Sequence, residues 1–172
     1  VNDAPILSAI DAQEINEDAV LTLELSASDV DGDDLSYSAS VNDFGFASID
    51  GSTLTVVPDL DYSGDIEVTV VVSDGVLTDS DSFILDVLNL NDAPIVNQIA
   101  DETIFEDDTL TLTVSGSDVD DLDVITFSAT ADQGATVSVD GNEISITPEL
   151  DFNGGIQVSV IATDLAGETG EA

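Results

Sequence analysis

The sequence predicts an all-β fold, two tandem Greek-key β-sandwiches, on three observations. The chain repeats internally, its apolar residues alternate with a period of two, and turn residues punctuate it about every 8–12 positions. The repeat is clearest at Val1-Asn2-Asp3-Ala4-Pro5-Ile6, which returns 89 positions later as Leu90-Asn91-Asp92-Ala93-Pro94-Ile95. The same offset relates Glu17-Asp18 to Glu106-Asp107 and Asp29-Val30-Asp31 to Asp118-Val119-Asp120. It becomes 90 for Pro58-Asp59-Leu60-Asp61-Tyr62 against Pro148-Glu149-Leu150-Asp151-Phe152, so one residue has been inserted between strands. The expected modules are residues 1–89 and 90–172.

Within each repeat, Leu21, Leu23 and Leu25 alternate with Thr22, Glu24 and Ser26, as Leu110, Leu112 and Val114 do with Thr111, Thr113 and Ser115. That is the pattern of half-buried strands. Further strands are expected at Leu35–Val41, Thr53–Val57, Ile66–Ser73 and Ser82–Leu88, separated by turn clusters such as Asp31-Gly32-Asp33 and Ser63-Gly64-Asp65. No segment has helical periodicity. About seven short strands in ~90 residues is the immunoglobulin-like pattern, although the Cys and Trp hallmarks of true immunoglobulin domains are absent. After Ile156–Thr163 the second repeat has no counterpart of Ser82–Leu88. Either the chain is cut before that strand, or the strand comes from another segment or another chain. The start at Val1, without Met or a signal-like stretch, reads as an excised piece of a longer protein.

A hydrophobic content of 42% and a mean hydropathy of +0.22 argue for folded material. The charge is extreme: 38 Asp and Glu, no Lys, Arg or His, and a net charge of −38. No internal side-chain ion pair can form, so compaction needs cations or salt from outside. Nucleic acid and anionic membrane surfaces, both held by Lys and Arg, are excluded as partners. No apolar run reaches membrane-spanning length, and no membrane insertion is expected. Without His, Cys or Lys, the usual acid–base and nucleophilic groups are missing, and the chain is not expected to be an enzyme.

These motifs, in this order, resemble the bacterial cadherin-like or immunoglobulin-like tandem repeats of large extracellular, RTX-type adhesins, over essentially the whole chain. The resemblance implies calcium between consecutive modules. At the internal junction the upper module would supply Glu17 and Asp61, the linker Asn89, Asn91 and Asp92, and the lower module Asp118, Asp120 and Asp164. The acid that often stands at the position of Ser63 is lost, with Asp65 as an alternative donor, and Asn89 and Ala93 depart from the linker pattern. Fewer charged ligands imply weaker or fewer ions. Asn2, Asp3, Asp29, Asp31 and Asp74 would form half of an equivalent site toward a preceding module, and Glu106 and Asp151 half of one toward a following module. Calcium suits these residue types because it takes six to eight oxygen ligands. Asp29-Val30-Asp31-Gly32-Asp33 is not an EF-hand: its Gly is fourth and its twelfth position is Ser40.

The implied function is a calcium-rigidified extender in an extracellular or bacterial-surface protein, serving cell adhesion and biofilm in calcium-rich settings such as seawater. Its partners would be the neighbouring repeats of the same chain. Alternatives are a module binding polysaccharide or a like repeat on another cell, a donor-strand polymer subunit, and plain salt adaptation of an acidic surface. Tyr37, Phe83 and Phe127 lie in strand patterns and are expected in the core. Phe44 and Phe46, in an Asn42–Phe46 loop, are expected to plug it.

Overall fold

Alternation gives a strand one dry and one wet face, and each period-two segment is a strand in the computed structural model, which describes residues 1–120 and 124–172. The chain divides into two compact units, Val1–Leu90 and Asn91–Ala172.

In the first unit the strands are β1 (Ile6–Leu7), β2 (Gln13–Asn16), β3 (Leu21–Glu24), β4 (Ala27–Ser28), β5 (Ser36–Val41), β6 (Gly45–Asp50), β7 (Thr53–Pro58), β8 (Gly64–Ser73) and β9 (Thr78–Leu88). One sheet runs β2-β9-β8-β5, the other β3-β7-β6, and β1 pairs with β4. All pairings are antiparallel except β2 with β9, where Gln13 lies opposite Leu85 and Asn16 opposite Leu88. The dry faces meet in a core of Leu21, Leu54, Val56, Ile66, Val68, Val70, Val72, Phe83, Leu85 and Val87 with their neighbours. Tyr37 packs against it.

The expected Phe44–Phe46 plug is corrected by the fold. Phe46 lies in β6, whose inward positions are Gly45, Ala47 and Ile49, so Phe46 faces outward and is 65% exposed. Phe44 precedes the strand and is 53% exposed. Small inward side chains hid this strand from a reading based on large apolar residues.

In the second unit the strands are β10 (Ile95–Val96), β11 (Leu110–Thr113), β12 (Gly116–Ser117), β13 (Thr126–Ala131), β14 (Ala135–Asp140), β15 (Glu143–Pro148), β16 (Val158–Thr163) and β17 (Thr169–Glu171). The sheets are β11-β15-β14 and β13-β16-β17, with β10 paired to β12. Its core is smaller, built on Val96, Val114, Ile144, Ile146, Val160 and Ala162, with Phe127 packed against it. β17 matches the start of β9 in register: Thr169 pairs with Thr163 as Thr78 pairs with Ser73, and Glu171 pairs with Ile161. No counterpart of Ser82–Leu88 is present among the described residues, and β16 starts at Val158, later than the expected Ile156.

Candidate metal centre

Each unit carries the same carboxylate frame, built by the same local chemistry. In the first unit Asp29 follows β4, and its Oδ1 accepts the backbone N–H of Asp31 (2.8 Å) and Gly32 (3.0 Å), folding the Asp-rich turn onto itself. Asp31 Oδ2 accepts the N–H of Asp3 at 2.7 Å, and Asn2 Nδ2 donates to Asp74 Oδ2 at 2.8 Å. These four contacts draw the chain start, the turn after β4 and the β8–β9 turn together. In the second unit Asp118 follows β12 and its Oδ1 accepts the N–H of Asp120 at 3.1 Å. Asp120 Oδ2 accepts the N–H of Asp92 and Asn91 Nδ2 donates to Asp164 Oδ2, both at 2.8 Å. The residues expected from sequence as Asn2, Asp3, Asp29, Asp31 and Asp74 are thus joined, as are Asn91, Asp92, Asp118, Asp120 and Asp164.

Asp164 is 6% exposed, and the Asn91 side chain, then the backbone amides that follow it, hold its carboxyl below the ordinary 3.8 against the opposing effect of burial. Asp74 is also held below 3.8, chiefly by the backbone N–H of Leu77 and Val76 and less by Asn2.

One further feature repeats. Asp29 Oδ2 and Asp118 Oδ2 are buried with no hydrogen-bond partner. Such an oxygen loses its hydration without compensation, which folded proteins seldom tolerate. Around Asp29, the carboxylate oxygens of Asp31 and Asp33 lie within 4.8 Å of its own and of each other. Asp33 was not among the residues expected from sequence; its signal was the spacing of two on a Gly-containing turn. The donor set is all oxygen, from carboxylates and Asn amides, and it fits a hard divalent cation such as calcium.

The opposite end of the first unit carries Glu17, 5% exposed, whose carboxylate accepts the N–H of Leu90 while its own N–H donates to Leu88 O at 2.8 Å. Asp18 and Asp61 both adopt the left-handed conformation, φ 59° and 55°, with Asp61 N–H on Asp18 Oδ1 at 3.3 Å; Ser63 Oγ donates to Asn89 Oδ1 at 3.3 Å. Asp107 and Asp151 repeat that turn in the second unit, φ 68° and 57° and 3.1 Å, but Glu106 is exposed. Glu17 is tied to the end of β9 and the residue after it by its contacts with Leu88 and Leu90. Asp65 pairs with Asp86 within the β8–β9 ladder.

A bacterial Ig domain model matches residues 2–85 and again 91–172, so this chain belongs to the bacterial immunoglobulin-domain family as a tandem pair. Such domains are typically extracellular or surface-exposed, and are generally non-catalytic. Among solved structures, human protocadherin-24 EC1-2 is similar at 21% identity and a TM-score of 0.61, over 99% of this chain and 95% of that one. Drosophila N-cadherin EC1-4 is similar at 16% identity and a TM-score of 0.61, over 99% of this chain and 48% of that one. An endo-fucoidan hydrolase of glycoside hydrolase family 107 matches at 19% identity and a TM-score of 0.44, over 98% of this chain, which spans 28% of it. No curated protein matches the sequence. Cadherin repeats and this chain share the all-β sandwich architecture. No helix among the described residues is long and apolar enough to cross a membrane.

Proposed function

We propose that the chain is a non-catalytic structural spacer of an extracellular bacterial protein, and that calcium stiffens the step from one module to the next. The repeated buried oxygen, Asp29 Oδ2 and Asp118 Oδ2, carries this reading. A cation there supplies the missing partner and cancels repulsion among carboxylates that no Lys or Arg can neutralise. Asp118, Asp120, Asp164, Asn91 and Asp92 would hold the ion from the second unit. Glu17, Asp61 and Asn89 belong to the same proposal as the first unit's share of the ligand set that the resemblance implies. Asn2, Asp3, Asp29, Asp31 and Asp74, with Asp33, would take an ion toward a preceding module, and Glu106 and Asp151 would serve a following one. The adhesive role belongs to whatever the modules space apart. Small-angle scattering and a thermal melt, in chelator and across micromolar to ten-millimolar calcium, test the reading. Elongation and a higher Tm with calcium but not magnesium, both lost in Asp118→Ala/Asp120→Ala, are expected; an identical shape and Tm throughout would overturn it.

A second reading, a polysaccharide-binding face, rests on the outer side of the β3-β7-β6 sheet. Phe46 lies opposite Val57, Val20 continues the row, and all three are exposed. The same positions of the second unit are Thr136, Thr147 and Thr109, joined by Thr hydroxyl contacts. An apolar row kept on one module alone suits the C–H face of a neutral sugar ring, which the acidic surface does not repel. On a glycan array, binding lost in Phe46→Thr is expected; no binding to any glycan sinks this reading.

A further inference from the structure

The outer face of the β3-β7-β6 sheet is ordered in three rows, because alternate residues of a strand share a face and paired residues stand side by side. The first row is apolar: Phe46 lies opposite Val57, and Val20, just before β3, continues it. The second is hydroxyl, with Ser48 opposite Thr55 and Thr55 opposite Thr22. The third is acidic, with Asp50 and Glu24 on either side of Thr53. Thr53 Oγ1 donates to Glu24 Oε1 at 2.6 Å and Ser52 Oγ to Glu24 Oε2 at 3.3 Å, which holds that carboxylate on the face. The extended chain from Phe46 to Asp50 spans about 13 Å. The second unit repeats two of the rows. Ser138, Ser145 and Thr111 form its hydroxyl row and Asp140, Glu143 and Thr113 its acidic one. Thr136, Thr147 and Thr109 replace the apolar row, so the gradient from apolar through hydroxyl to acid belongs to the first unit.

Resting on the polysaccharide reading of this face, we infer that its ligand is a glycan that mixes neutral rings with rings carrying a free primary amine. It lies along the strands, with a neutral ring on the apolar row and an ammonium at Glu24 and Asp50. The rows exclude other occupants. A peptide strand adds to a sheet through the backbone groups of its edge, so on a sheet face its own N–H and C=O groups go unpaired. Sugar hydroxyls instead meet those of Thr22, Thr55 and Ser48. Anionic glycans and anionic lipid surfaces are repelled by a chain of net charge −38. A wholly neutral glycan covers the acidic row at a cost in carboxylate hydration and returns no charge. An ammonium there makes charge-assisted hydrogen bonds to two carboxylates, and the chain has no Lys or Arg to compete for them. The face needs no metal.

The test titrates β-1,4-linked glucosamine hexasaccharides into the full chain at fixed calcium and below the pKa of the sugar amine, one ligand fully N-acetylated and the other half N-acetylated. The half-acetylated ligand is expected to bind about tenfold more tightly, the most that two exposed ion pairs supply. That advantage should vanish in about 1 M salt, where screening acts over about 3 Å. Glu24→Gln/Asp50→Asn should bring the half-acetylated ligand down to the affinity of the acetylated one. Asp140→Asn/Glu143→Gln, which removes the same charge from the second unit, should change nothing. Phe46→Thr, which installs the residue type of Thr136, should weaken both ligands. All these side chains are exposed, so an unchanged Tm is expected in every variant. Equal affinity for the two ligands overturns the inference and leaves the neutral-sugar reading standing, whereas binding of neither removes both. Equal losses from the two double variants also overturn it, because the amine would then be answering the charge of the chain at large.

Discussion

At the scale of single residues, equivalent positions in the two units make opposite choices. Phe44 takes φ 60°, a conformation that costs a bulky residue about 1–2 kcal/mol, and its ring stacks on Tyr62 with centroids 4.6 Å apart. Stacking returns about 0.5–1.5 kcal/mol, enough to balance that cost. Its counterpart Gly134 adopts φ 64° without strain, and a Cβ there would lie 2.4 Å from Phe152 Cε2. The carboxylates offer a sharper test. Asn91 is the largest cause of Asp164's lowered pKa, whereas Asn2 is a lesser cause for Asp74 behind the Leu77 and Val76 amides. In a calcium-free NMR titration, Asn91→Ala should raise the Asp164 midpoint toward 3.8 by more than Asn2→Ala raises that of Asp74. Both carboxyls have lower pKa values folded than unfolded. Their contribution to stability is therefore full above 3.8 and lost as pH falls through the lower folded values. Equal shifts in the two variants would remove Asn91 from its role.

At the scale of elements, a strand's worth depends on its neighbours. Ile66 is fully buried in β8 between β9 and β5, while its counterpart Ile156 is half-buried. Ile66→Ala should cost about 2–5 kcal/mol by chemical denaturation, and Ile156→Ala only about 1 kcal/mol. Equal losses would mean that Ile156 is packed as fully as Ile66. Glu17 and Glu106 occupy equivalent positions with different surroundings: Glu17 is buried and bonded to Leu88 and Leu90, and Glu106 is exposed.

For the whole molecule the governing quantity is charge. A net charge of −38 with no compensating side chain makes stability a function of the solution as well as of the fold. Screening by monovalent salt acts on all carboxylates at once, over a Debye length of about 10 Å at 0.1 M. A specific ion acts instead through its own affinity, stabilising by about 2.7 kcal/mol at 100-fold excess over its Kd. The calcium titration of the proposed function should therefore saturate at millimolar concentrations against a fixed background of salt. A sodium-like response to calcium would count against a site.

Much of this was legible in the chain itself. Val1–Ile6 against Leu90–Ile95 gave the tandem repeat, Leu21-Thr22-Leu23 gave strands, and the carboxylate motifs recurred at the repeat offset, because periodicity and spacing are properties of sequence. β6 was not legible, since Gly45, Ala47 and Ile49 face inward with little apolar bulk and leave Phe46 outside. Nor was Asp33, whose approach to Asp29 depends on the turn closing. Sequence alone determined the sandwich pair, its charge and its oxygen-only chemistry. The tertiary structure decided which oxygens are buried without partners and which side of β6 faces the core, because burial depends on what packs alongside a residue and not on the residue's own identity.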